Sequence, residues 1–455
     1  MNLTGYFEIR RLTWARVTSG AMVTTGGLAV SSALNLAGLL LWVRLLTPDE
    51  FGTLSLVSAA GLMLNALGFE WLRLAGARSL SDPTRSEAVS PERLSAWIRV
   101  AGIAALIVTL TVLLLTLAGI AAPGLAPRWN AAILLLGASE MLLAAITLVA
   151  RLRLQSGTYA GVMIGRSALA LSGGVALVFS GAGAAGIVAA TAIGQIAITA
   201  LAIARDPLWR SAIGAPSNRQ DRSDLVRLGL PLIAGSALAL AAGTIDRGLI
   251  SAHLGLAAAG HFAAPAELVA KTLGFALMAV NLSAYPLLVR THERDGPAAA
   301  SRALERNLAV LLAFALPILL TICLLARPLA AALLGPASLP LAPRLLPWLA
   351  GGALLRLLVT FHFGIAIQLA RRMSLLLVPP LITLAILIPG AAPVIASGGL
   401  EGFTILLFAA QGGGTVAAWF LARRVLPTRL VTPATLRLLA ASALLTLLLA
   451  PLRPA

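Results

Sequence analysis

The chain has 455 residues, 59% hydrophobic and 11% charged, with a net charge of +17. That balance excludes a soluble globular domain, because its apolar runs repeatedly reach the roughly 20 residues that cross a bilayer. The positive charges sit at the ends of those runs rather than in one basic patch, which points to lipid headgroups and away from nucleic acid.

Residues 1–18 form a basic N-terminal segment. Tyr6, Phe7, Ile9, Trp14 and Val17 mingle with Arg10, Arg11 and Arg16, as in a helix lying in the membrane interface; a plain basic leader fits the same residues. The apolar stretch that follows exceeds a signal-peptide core and reads as an uncleaved first span. Six spans are expected over 19–46, 51–78, 96–122, 129–153, 157–180 and 184–205, together an N-lobe of 19–205. The polar connector 206–227, with Pro207, Pro216, Asp221 and Asp224, is the inter-lobe linker. Six more spans, 228–254, 257–289, 303–327, 343–369, 374–396 and 401–424, make a C-lobe of 228–424. In the tail, 425–455, the apolar stretch 436–450 fits a short thirteenth crossing or an interfacial segment. The predicted class is an all-α integral membrane protein of about twelve transmembrane helices in two six-helix lobes.

With the N-terminus on the cytoplasmic side, the inward connectors hold 25 of the 34 basic residues, and the outward ones hold Arg44, Arg128, Arg327 and Arg344. This asymmetry sets the orientation, since basic loops stay inside. All eight tryptophans fall near expected span ends, where amphipathic rings favour the interface. The halves also resemble each other: Gly52 closes the first hairpin and Gly260 the seventh, a shift of 208 residues. Six spans per half give both halves the same orientation, related by an axis along the membrane normal, which is transporter architecture with a site expected between lobes.

The single cysteine, Cys323, rules out an intramolecular disulfide and a cysteine-held metal cluster. The run 181–186 matches a dinucleotide fingerprint, but its flanks are spans rather than a strand and a soluble helix, so it reads as a turn between membrane helices. No zinc motif, Walker loop or serine-nucleophile elbow occurs, and the four histidines lack metal-ligand spacing. Transport is therefore expected rather than catalysis.

The informative residues are ionisable groups at membrane depth, each costing about 2.5–3.5 kcal/mol unless paired or hydrated. They are Glu140, Arg166, Asp246, Arg247, Glu267, Lys271 and Arg356. Glu267 and Lys271, four apart, share a helix face and suit either an ion pair or a site; Lys271 is the only lysine in the chain. Glu140 and Arg356 occupy matching helices, four and ten, where structural pairing and substrate contact both fit. Thr191, Gln195 and Thr199 make a polar stripe on span six that either lines a cavity or bonds a neighbouring helix.

The segment Leu45-Leu46-Thr47-Pro48-Asp49-Glu50-Phe51-Gly52 resembles the opening hairpin of bacterial polysaccharide and O-antigen repeat-unit flippases, within the multidrug, oligosaccharidyl-lipid and polysaccharide exporter (MOP) superfamily. Asp246-Arg247, Leu254-Gly255 and Gly260 are similar to the signature opening that family's second half, with His261 where an aromatic usually follows. The resemblance covers about 19–424. It implies lobes forming a V that opens alternately to each side of the bacterial inner membrane, carrying an undecaprenyl-diphosphate-linked oligosaccharide outward. Glycosyltransferases and a glycan polymerase would then be partners. A diphosphate cannot cross hydrocarbon unaided, so Arg166, Arg247, Lys271 and Arg356 are candidate cargo contacts. Glu140, Asp246 and Glu267 are candidates for coupling to H+ or Na+. A drug exporter of the same superfamily and an integral-membrane glycan polymerase or ligase are the alternatives.

Overall fold

The computed structural model describes residues 3–80, 89–121, 124–428 and 432–449, without the side chains of 3–19, 21, 230–232, 234, 236 and 445–449. No strand occurs among the described residues. The first half is built from α1 (Leu3–Leu45), α2 (Pro48–Gly68), α3 (Glu70–Ser79), α4 (Pro91–Leu117), α5 (Asn130–Leu152), α6 (Ser156–Phe179), α7 (Gly183–Arg205) and α8 (Pro207–Gly214). The second contains α9 (Arg219–Leu324), α10 (Ala326–Leu329), α11 (Ala342–Leu358), α12 (Gly364–Leu369), α13 (Val378–Val425) and α14 (Pro433–Leu449). A π-turn, Val359–Phe363, joins α11 to α12.

Nine helices among the described residues are long and apolar enough to cross a membrane. Two of them carry glycines in left-handed backbone conformations, Gly255 (φ 84°) and Gly296 (φ 81°) in α9 and Gly399 (φ 56°) in α13. Glycine tolerates that region because it lacks a Cβ. Dividing the helices at these three points yields twelve apolar segments, the number read from the sequence.

Some boundaries differ from expectation. The second span, expected over 51–78, stops at Gly68, and the chain breaks at Phe69 before α3 begins. The expected interfacial segment at the N-terminus continues α1, and its side chains lie outside those described. The connector 206–227 is itself structured: Asp206 caps α8 by accepting from Leu208 N at 3.1 Å, Pro207 stands at the first helical position, and Trp209 and Ala212 are buried. The tail forms α14, a helix of 17 residues.

The residues separate into two units, 1–38 with 56–240, and 39–55 with 241–455. In the first, α6 and α7 pack closely because small residues face their partner. A Cβ added to Gly165 would sit 2.7 Å from Ile198 Cδ1, and one on Gly194 2.9 Å from Leu169 Cβ. The 181–186 run forms the end of the turn after α6 and the first residues of α7, with Gly181 at φ 87° and Gly183 at φ 52°. Trp71, Trp97 and Trp209 belong to a buried core with Leu72, Leu94 and Leu225, which corrects their assignment as interface anchors. Trp71 and Trp97 donate to the carbonyls of Gly68 and Leu72 at 2.9 and 3.0 Å. The break after α2 leaves the Gly68 carbonyl free to accept, whereas the buried Trp209 N–H has no hydrogen-bond partner among the described residues.

In the second unit, the motif 45–52 folds for identifiable reasons. Thr47 is the N-cap of α2: its Oγ1 accepts from Glu50 N at 3.3 Å, while Glu50 Oε2 accepts from Thr47 N at 3.0 Å. This is a capping box, with Pro48 at the first helical position and two acids in the first turn. Arg44 donates to the carbonyl of Ala332. Gly52 then meets Gly260. A Cβ on Gly52 would press on the Leu256 carbonyl and lie 2.9 Å from Gly260 N; one on Gly260 would press on the Pro48 carbonyl and lie 3.0 Å from Gly52 N. Positions 48 and 256 differ by the same 208 residues as 52 and 260, so the contact is reciprocal, as across a local two-fold axis.

Candidate functional site

Asp246 and Arg247 lie in α9 before its break at Gly255, and Glu267 and Lys271 lie just after it, so the hairpin brings two helical segments face to face. Arg247 is buried and its guanidinium pairs with Glu267 Oε1, while Asp246 Oδ1 stands 3.7 Å from its Nη1. The other Glu267 oxygen is 3.4 Å from Lys271 Nζ. Glu267 is thus shared between two cations. Arg247 is held from both sides, which a charge taken out of water requires.

Arg356 approaches the same group from α11. Gly243 leaves it room: a Cβ there would lie 3.1 Å from Arg356 Nη1. Among the described residues no carboxylate comes within 4 Å of Arg356. Asp246, Arg247 and Arg356 line a hollow of about 60 Å³, together with Trp348, Phe408 and Gln411. At about 30 Å³ per water it has room for roughly two, not for a sugar ring. Trp348 and Phe408 meet edge to face with centroids 5.5 Å apart, and Gln411 Nε2 donates to the Ala242 carbonyl at 3.3 Å. The cluster therefore contains three bases and two acids, an excess of one positive charge in a wall of aromatic and aliphatic groups.

The first unit holds the other predicted residues in a different arrangement. Gln195 on α7 donates to Glu140 on α5 at 2.7 Å, and Ser139 lies 2.6 Å from Gln195 Oε1. Arg166 on α6 reaches Glu140 at 3.8 Å, an electrostatic contact rather than a hydrogen bond, and its Nε has no partner. Glu140 takes these partners from within its own unit. Gln195 and Thr199 are 2% and 1% exposed, and Thr191 Oγ1 donates to the Ile187 carbonyl at 2.8 Å. Gln195 bonds the neighbouring helix α5, whereas Thr191 bonds only its own helix and the buried Thr199 hydroxyl has no hydrogen-bond partner among the described residues.

Arg247, Arg356 and Asp246 thus share one hollow, with Glu267 bound to it through Arg247 and Lys271 through Glu267. Glu140 and Arg166 belong to the first unit. Reasoning from charged residues alone missed Ser139, Gly243 and Gln411. Gln411 was visible as an amide within an apolar run. Nothing in the order of residues marks Ser139 as the neighbour of a glutamine 56 positions on.

A family model described as polysaccharide biosynthesis protein matches residues 41–343, two thirds of the chain. The chain belongs to that family. Both signature hairpins of this polysaccharide biosynthesis protein fall inside the matched stretch, whereas Trp348, Arg356 and Gln411 lie beyond it. Among solved structures, it is similar to the lipid II flippase MurJ in an inward closed conformation, with a TM-score of 0.75 at 11% identity over 95% of this chain and 93% of that one. An inward-facing multidrug resistance MATE family transporter of the MOP superfamily matches with a TM-score of 0.59 at 15% identity, covering 87% and 94%. A MOP superfamily transporter from Pyrococcus furiosus matches with a TM-score of 0.58 at 14% identity, covering 90% and 95%. The fold is that of the MOP superfamily. No curated protein matches the sequence.

Proposed function

We propose that this polysaccharide biosynthesis protein is a flippase that carries a polyprenyl-diphosphate-linked oligosaccharide from the cytoplasmic to the outer leaflet of the inner membrane. The observation that carries this reading is the positive excess of the α9–α11 cluster, where Arg356 has no acid within 4 Å among the described residues. A cation without a counter-ion at membrane depth is costly, and an anionic headgroup that supplies the missing charge offsets that cost. Arg356 and Lys271 are the groups that reach the diphosphate; Arg247, held by Asp246 and Glu267, orients the cluster. A cationic drug would meet the opposite sign here, which disfavours the exporter reading. The resemblance of the fold to a lipid II flippase supports a lipid-linked cargo.

Alternating access opens the small hollow when cargo enters. Coupling to H+ or Na+ runs through the carboxylates Glu140, Asp246 and Glu267, whose charge balance changes when a partner cation turns to the cargo. The test is flipping of a fluorescent lipid-linked oligosaccharide in proteoliposomes. Arg356→Ala and Lys271→Ala reduce the rate while leaving folding intact. If the double variant flips at the wild-type rate, these residues are not in the site. Transport of ethidium with no transport of the lipid-linked sugar would favour drug export.

A further inference from the structure

At the arginine-rich end of the first unit, α5, α6 and α7 border an open groove of about 590 Å³. Its floor is apolar, formed by Val162, Ile198, Leu201 and Ala202, and Leu201 is 43% exposed. The groove exists because Gly157 and Gly161, one turn apart on α6, project no side chain into it. A Cβ added at either would meet no atom within 4 Å.

The mouth of the groove carries Arg153, Arg205 and Asp206. Arg153 pairs with Asp206, and Asp206 is fixed in place by accepting from Leu208 N at 3.1 Å as the cap of α8. That pair is neutral. Arg205 is exposed and has no acid within 4 Å among the described residues. The result is one uncompensated positive charge at the rim of an apolar trough that opens to the surface.

From this geometry we infer that the groove seats one anionic glycerophospholipid, its phosphate on Arg205 and one acyl chain along the trough. A phosphodiester brings a single negative charge, which matches the single free arginine. A diphosphate brings at least two, with a glycan beyond them, and among the described residues lining the groove the one other cation, Arg153, is already paired with Asp206. An arginine fork suits phosphate oxygens, and the trough shields methylenes from water. This lipid site involves none of the residues assigned to cargo, so it stands or falls independently of the flippase proposal.

Native mass spectrometry of the full chain, titrated with dioleoylphosphatidylglycerol, tests the inference. Wild type retains one such lipid through delipidation. Arg205→Ala removes the counter-charge and Gly161→Leu fills the trough, and each weakens the first binding step about tenfold. Arg205→Lys preserves most of the binding, and Arg424→Ala, an exposed arginine elsewhere, leaves it unchanged. Equal retention in wild type, Arg205→Ala and Gly161→Leu overturns the assignment. So does dioleoylphosphatidylcholine binding as tightly as the glycerol lipid, which would show that net charge is not read. Undecaprenyl diphosphate displacing the glycerol lipid at equal concentration would also overturn it, transferring the groove to the diphosphate class.

Discussion

Gly52→Ala and Gly260→Ala probe the contact between the two signature hairpins. Each added methyl meets backbone rather than a side chain, with the carbonyl carbons of Leu256 and Pro48 each 2.9 Å away and the opposing amide nitrogens at 2.9 and 3.0 Å. Ordinary contact begins near 3.4 Å, and no rotamer change relieves a clash with backbone. The carbonyl oxygens of Leu256 and Pro48 lie nearer still, so the hairpins must separate by roughly an ångström or more, an overpacking cost of about 3 kcal/mol for each substitution, the upper end of the usual range. Because one separation accommodates both methyls, the double variant loses less than the sum of the single losses. Gly102 and Gly274, where an added Cβ meets nothing within 4 Å, are the controls; alanine there is neutral or stabilises by up to about 1 kcal/mol. Unfolding of the detergent-solubilised protein in denaturant measures all five variants. Should Gly52→Ala be no less stable than Gly102→Ala, or should the two signature glycines add independently, the backbone contact is wrong.

Three other outcomes are expected. Glu267→Ala leaves buried Arg247 with only the 3.7 Å contact to Asp246, and the loss is about 3 kcal/mol, read as a lower denaturant midpoint; Glu267→Gln, which keeps an acceptor, loses less. Gln195→Leu removes the bridge among Ser139, Glu140 and α7, costing about 1–2 kcal/mol in the same measurement. Ser139→Ala loses less than Gln195→Leu, because Glu140 keeps its hydrogen bond at 2.7 Å. Gly243→Val displaces the Arg356 guanidinium from the hollow, so its flipping rate falls as in Arg356→Ala while its thermal midpoint stays within a few degrees of wild type; a normal rate in Gly243→Val would separate Arg356 from that position.

The class of this protein was legible in one dimension, since hydrophobic length is a local property and a bilayer demands about 20 apolar residues wherever the chain crosses. The 208-residue shift identified Gly52 and Gly260 as equivalent positions, which meet in the structure. Cost marked Asp246, Arg247, Glu267, Lys271 and Arg356, because an ionisable residue at membrane depth stands out against its neighbours. What the tertiary structure decided was pairing. Glu267 is shared by Arg247 and Lys271, Arg356 has no acid within 4 Å among the described residues, and Gln195 turns inward to Glu140. Tryptophans that seemed to mark the interface lie in a core because α2 breaks at Phe69 and α8 folds back. Periodicity records which face of a helix a residue occupies, but not what stands opposite; a glycine missing a side chain on α9 or α6 leaves no trace in hydropathy, yet it fixes where Arg356 fits and where the α6–α7 groove opens.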